Sequence, residues 1–215
     1  MDPSHARRYT KAEIERIVAA ILVDAFPKGI RIPVDIDRLA QRHELVDDIA
    51  SAELLEEQFK VAAILISKPN GHFDIFVDEE TFNSYRARAN FSIAHELGHI
   101  VLHSQICSNC QSIEESISLS RRIKHAYSFI ERNANYFAGA ILIPRRTFLG
   151  DTATLYEGLV KLYGYDVNLI PSKLCSRLAE RYCVNLQPME IRLKELNLQR
   201  KIVSALRTNS PYLDP

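Results

Sequence analysis

Neither sign of charge dominates this 215-residue chain, in which 27 lysines and arginines meet 27 aspartates and glutamates. That balance removes any general electrostatic demand for nucleic acid, an anionic membrane or a strongly charged substrate. Long apolar runs are missing too, and nothing approaches the ~20 residues that a membrane-spanning helix requires. The start, Met1 to Arg8, lacks the apolar core of a secretory signal. These absences predict a cytoplasmic protein with no membrane partner. Cysteine is scarce. Cys107, Cys110, Cys175 and Cys183 are too few to build a disulfide scaffold and read as reduced, structural or incidental thiols. Cys107 and Cys110 have the spacing of a metal knuckle, but no second pair of that spacing exists. A closed site would need His103, His125, Cys175 or Cys183 to fold back.

What is present has the size to bury a core as one domain, or as a domain with a small helical appendage. Thr10 to Glu13 has the form of a capping box, and Ile14, Ile17, Val18, Ile21, Leu22 and Ala25 recur at helical spacing until Pro27 and Gly29. A shorter helix is predicted over 35–43, with Ile36, Leu39 and Ala40 inward. The apolar period then changes to two: a weak strand over 45–49 and stronger ones over 61–66 and 73–78. Pro69-Asn70-Gly71 joins the last two as a hairpin turn. Glu53, Glu56 and Glu57 read as a solvated loop or short helix. From Glu79 the helical period returns and runs through Arg86 and Arg88 into the next segment.

That segment, Phe91-Ser92-Ile93-Ala94-His95-Glu96-Leu97-Gly98-His99-Ile100-Val101-Leu102-His103, carries an HExxH motif on an almost wholly apolar helix. Residues four apart share a helix face, so His95 and His99 can aim two imidazoles at one metal ion. Glu96 leaves at a different angle, outside the ligand set but within reach of a water on the metal. His103 continues the same face but lies ~12 Å along the axis from His95, too far to share an ion. It reads as structural, and only a break at Gly98 would change that. A third ligand is needed from elsewhere. In the helical segment 130–142, Glu131 and Asn135 are again four apart, so Glu131 can bind the metal while Asn135 accepts from the free ring nitrogen of a ligand histidine. The plain alternative for Glu131 is a solvated carboxylate favoured by the helix dipole.

The two segments FSIAHELGHIVLH and ERNANYFAGAILIP together resemble the ImmA/IrrE family of metallopeptidases, whose members look like RxRFxxAHELGHxxLH followed by ExxAxxFAxxLLxP. Arg88 and Phe91 match the lead-in, Asn90 stands where an Arg is more usual, and Asn135 falls where relatives often have Asp. Val34 to Ala40 is similar to the VDxxxLA pattern that precedes the catalytic sheet. The resemblance implies that His95, His99 and Glu131 bind Zn2+, with Mn2+ as the other candidate, and that Glu96 is the catalytic base.

The expected fold is therefore α+β, with a small antiparallel sheet packed on the HExxH helix, a catalytic core over 1–150 and a helical region over 151–215 on or beside it. Between the ligand segments, 109–120 is polar and Ser-rich. It reads as a flexible loop that covers the cleft or admits a partner, or as an insertion without a role. Beyond Pro144, helices are predicted over 152–162, from Pro171 to Tyr182, and over 189–196. Helix, turn and helix invite a DNA-binding reading, but eight Lys or Arg against four Asp or Glu from Pro171 onward favour packing or protein recognition over direct nucleic-acid binding.

In the cleft, an oxyanion is expected to meet His125, Tyr127, Arg132 or Tyr136 beyond the metal. The resemblance implies a protein substrate, a helix-turn-helix DNA-binding repressor cleaved to relieve repression. The competing reading is a metal-binding antirepressor or antitoxin-like regulator that acts by protein binding without turnover.

Overall fold

A computed structural model describes residues 6–108 and 110–213. Met1 to His5, part of the Met1 to Arg8 start read as lacking a secretory signal, and Asn109 within the cysteine pair lie outside the described residues. Backbone contacts divide the chain into two compact units, one ending at Leu142 and the other starting at Ile143. No helix among the described residues is long and apolar enough to cross a membrane.

In the first unit, α1 (Lys11–Ala25) starts on the capping box: Thr10 Oγ1 accepts from the Glu13 N–H, and the Glu13 carboxylate accepts from the Thr10 N–H at 2.8 Å. Its buried stripe is Ile14, Val18, Leu22 and Ala25. After α2 (Ile36–Gln41) come β1 (Val46–Ala52), α3 (Leu55–Phe59), β2 (Ala63–Ser67) and β3 (Phe73–Asp78). The sheet order is β1-β3-β2. β2 and β3 form the antiparallel hairpin that Asn70-Gly71 signals, closed by Gly71 N–H on Lys68 O at 3.0 Å with Gly71 at φ +84°. β1 departs from the purely antiparallel expectation, because it lies parallel to β3 and makes the sheet mixed. The chain leaves β1 through α3, so the hairpin partner of β3 is β2, and β1 takes the other side of β3. Central β3 has Phe73, Ile75 and Val77 at 0–1% exposure, as a strand flanked on both sides requires.

Asp78 ends β3 and ties two helices to it. Its carboxylate accepts from the Thr81 N–H at 3.1 Å to cap α4 (Glu79–Ser84), and from the Glu56 N–H at 3.0 Å to anchor α3. Glu56 in turn pairs with Arg88 at 2.6 Å. Tyr85, at φ −124° and ψ 64°, separates α4 from α5 (Arg86–Cys107), where one continuous helix is predicted.

α5 is the buried axis of this unit, with Ala89, Ile93, Ala94, Leu97 and Ile100 at 0–1% exposure. α7 (Ser128–Leu142) lies along it and buries Ile130, Ala134, Phe137, Ala138 and Ile141 completely. Gly98 is the point of closest approach. A Cβ there would sit 3.1 Å from Phe137 Cδ1 and 3.2 Å from both the Cα and the carbonyl oxygen of Ala134. The helix stays regular at Gly98 and departs from helical angles at His103 instead, with φ −142° and ψ 25°.

The segment expected to be a loop is largely helical: α6 spans Ile113–Ala126. Ser112 caps it by accepting from the Glu115 N–H at 3.2 Å, and Glu114 and Glu115 occupy the favourable first turn. Its apolar residues pack inward, Ile117 on Leu55 and Ile64, and Ile123 on Ile106 and Ile130.

The second unit consists of α8 (Arg145–Tyr163), α9 (Leu169–Tyr182), α10 (Leu186–Glu195) and α11 (Leu198–Arg207). Pro171 lies in the first turn of α9, where its missing N–H costs nothing. Arg192 of α10 is fully buried, with Nε donating to Ile143 O at 3.1 Å. Arg181 grips Asp151 through two hydrogen bonds at 2.7 and 2.9 Å, and the Tyr182 hydroxyl donates to the same carboxylate at 2.8 Å.

The α5–α7 approach generates a measurement. Gly98→Ala forces the Ala134 backbone outward and is expected to destabilise the protein by about 1–3 kcal/mol. In urea denaturation the midpoint falls while the slope is unchanged.

Candidate metal centre

His95 and His99 reach the cleft because they are one turn apart on α5 and both Nε2 atoms turn the same way. Their ring centroids are 4.7 Å apart at 80°, and the two Nε2 atoms are separated by 3.0 Å. Glu131, in the first turn of α7, faces them from the opposite helix. Its Oε2 lies 3.5 Å from His95 Nε2 and its Oε1 lies 3.6 Å from His99 Nε2. One ligand atom from each residue falls within 4.8 Å of the others, and among the described residues this is the one such group of three.

The donor set fits a divalent cation on its chemistry. Asn135, one turn beyond Glu131, places Oδ1 3.1 Å from His95 Nδ1. A carboxamide oxygen only accepts, so Nδ1 carries the hydrogen and Nε2 is left with its lone pair toward His99 and Glu131. Lone pairs turned on one another at such distances repel unless positive charge lies among them. Titration carries the same signature. Burial disfavours a charged His95, yet Glu131, Glu96 and Asn135 outweigh it and raise its affinity for a proton. His99 is pushed down to about 3, first by burial and then by the charge on His95, so it stays a neutral ligand. Burial opposes the Glu131 carboxylate, but the hydrogen bond from His95 and the charges of His95 and Lys124 hold it below its usual range. The site draws one positive charge and keeps its other members unprotonated.

Glu96 lines the same cleft. Burial pushes its carboxyl up to about 7 against the favourable charge of His95, with Glu131 adding repulsion. His103 sits apart, its Nε2 3.4 Å from Asn133 Nδ2 and its ring edge-on to Tyr9 at 5.7 Å, and burial pushes it down to about 4. Cys107 and Cys110 are buried free thiols on the cleft wall, held by the turn Cys110 N–H to Cys107 O and by Ser67 N–H on Cys110 O. They acquire no third ligand among the described residues, so the knuckle is not completed.

Four residues considered for oxyanion contact lie elsewhere. His125 and Arg132 are exposed, Tyr127 packs beside Ile123 and Ile130, and Tyr136 donates its hydroxyl to Glu15 of α1 at 2.9 Å. None of them lines the cleft. Its walls are β2 on one side, through Ala63, Ile64 and Leu65, and α6 on the other, through Ser116, Leu119 and Ser120, enclosing about 50 Å³. The α6 wall is the part that sequence reasoning missed; the recurrence of Ile113, Ile117 and Ile123 was its signal.

Compared with known proteins, residues 75–194 match a peptidase family model described as the IrrE N-terminal-like domain. None of the curated proteins compared with the chain matches it.

This geometry sets two expected outcomes. Asn135→Ala frees the His95 ring and is expected to weaken zinc affinity about 10–100-fold, read by competition with a chromogenic chelator. Glu96 has a folded-state value raised from 4.5 to about 7, so its contribution to stability is present below pH 4.5 and lost as pH rises through 7. In metal-free protein, Glu96→Gln should therefore stabilise at pH 8 by roughly 1–3 kcal/mol and do nothing near pH 4. Urea denaturation at the two pH values checks this, and an equal effect at both refutes the assignment.

Proposed function

This chain belongs to the peptidase family of the IrrE N-terminal-like domain, and on that premise we propose that it is a cytoplasmic zinc-dependent endopeptidase whose substrate is a DNA-binding repressor protein. The observation that carries the reading is the convergence of His95, His99 and Glu131 on one point, with the Glu96 carboxylate in the same buried cleft. His95, His99 and Glu131 hold the ion, and Asn135 fixes the His95 ring. A bound divalent cation supplies Lewis acidity toward a peptide carbonyl and toward water.

The protein's own groups do the rest. Glu96 accepts a proton from the attacking water and delivers it to the amine nitrogen as the peptide bond breaks. Cleft walls of Leu119, Ile123 and Ile64 exclude bulk solvent, which strengthens each charge interaction inside. β2 is a sheet edge beside the ion site, and an extended peptide can add to it through main-chain hydrogen bonds that read shape more than sequence. A repressor as the substrate is supported by the resemblance of the ligand segments to ImmA/IrrE proteins.

The test uses zinc-loaded protein and a repressor encoded beside it. Cleavage is expected from the native protein, and Glu96→Gln is expected to reduce it by at least about 100-fold while metal content stays the same. Glu131→Ala is expected to lose the metal as well. Binding of the repressor without cleavage, with zinc or with manganese, replaces this reading with that of a non-catalytic antirepressor.

A further inference from the structure

We propose that α6 is a movable lid, that the structure shows its closed position, and that substrate enters only when α6 swings off the β2 edge. The proposal rests on the peptidase reading of the cleft and adds how that site is opened. Room is the first argument. The cleft encloses about 50 Å³, whereas sites that bury even a drug-sized ligand measure roughly 300–1,000 Å³. A peptide strand with side chains cannot lie between β2 and α6 as they stand.

The edge of β2 is the second. In its ladder with β3, alternate residues of β2 turn their main-chain groups outward. Ser67 is one of these, and its N–H reaches Cys110 O at 2.6 Å. Ala63 and Leu65 share that outward direction and line the cleft, where α6 opposes them with the side chains of Ser116, Leu119 and Ser120. A helix has no free main-chain groups in mid-length to pair with a strand edge. Among the described residues the outward main-chain groups of Ala63 and Leu65 are therefore covered without being paired, and an incoming strand gains hydrogen bonds there that α6 does not make.

The attachment of α6 is the third. α5 is buried along most of its length, but α6 is held on one side only, through two apolar clusters, Ile113 and Ile117 with Leu55 and Ile64, and Leu119 and Ile123 with Ile106 and Ile130. Its outer face carries Glu114, Arg121, Arg122 and Lys124, all exposed or half-buried. At its C-terminal end Tyr127 leaves helical geometry, with φ −131° and ψ 45°, immediately before α7. Rotation there lifts α6 while Glu131 stays on α7. Opening uncovers Ile64 and Leu65, so the favoured substrate is an extended segment with apolar side chains facing the ledge that Ile117 vacates.

Hydrogen exchange on the 215-residue, zinc-loaded chain tests this directly. Amides of 113–126 should exchange at least about 10-fold faster than those of 93–102 in α5. Ile117→Glu, which disrupts one of the two holding clusters, should release zinc to pyridylazoresorcinol about 10-fold faster at unchanged zinc content. Protection of α6 equal to that of α5 overturns the proposal, as does release of zinc by Ile117→Glu at the native rate. If the variant does not fold, the exchange pattern of the native protein decides alone. Absence of repressor cleavage in every preparation refutes the peptidase reading and leaves the exchange result standing, so the two failures are separable.

Discussion

The electrostatic conflict among three unprotonated atoms, two imidazole nitrogens and a carboxylate oxygen, is the constraint that the first unit is built to hold. Left in water, such groups would separate and hydrate. Here the two histidines are fixed by the rise of one helix and the carboxylate by another, and the helices meet where Gly98 lets the backbone of Ala134 come close. The residues at 0–1% exposure along α5 and α7 supply the packing that opposes the repulsion. A buried cluster of this kind contributes little to stability on its own and is retained for the charge it attracts.

Much of this arrangement is legible in the amino-acid sequence, because it is local. The four-residue spacing of His95 and His99, the apolar flanks of their helix, the capping box at Thr10 and Glu13, and the Asn70-Gly71 turn each need only a few neighbouring residues to be read. The pairing of β1 is not local. Alternation marks a strand but says nothing about which strand it joins or in which direction, so β1 against β3 becomes visible only in three dimensions. α6 escaped for a different reason: Ile113, Ile117 and Ile123 form a stripe too narrow to stand out among serines and charges. α11 likewise turns on Leu198, Ile202 and Leu206 alone.

Arg192 illustrates a limit of reading by residue type. An arginine in the middle of a predicted helix reads as surface, yet here the guanidinium is enclosed and spends its Nε hydrogen on the Ile143 carbonyl. That carbonyl comes directly after the end of α7 and needs a donor, which a residue 49 positions downstream supplies. Tyr136 shows the converse. Its place one residue beyond Asn135 suggests the cleft, but the 100° turn per residue of a helix carries its hydroxyl round to Glu15 on α1.

The two margins of the small sheet are treated differently. On β1, Asp48 folds its carboxylate back onto the Ile49 N–H at 2.8 Å and so occupies a main-chain donor, while Asp47 is tied to Lys68 and His72. Charges in that position deter a stray strand from joining, which protects the protein from sticking to copies of itself at high concentration. β2 carries no charged side chain over Ala63–Ser67, and its guard is a helix rather than a charge. On the proposed reading of the cleft, a sheet fenced by charge on one side and by a helix on the other takes a substrate chain along a single line, and that line runs past the histidines.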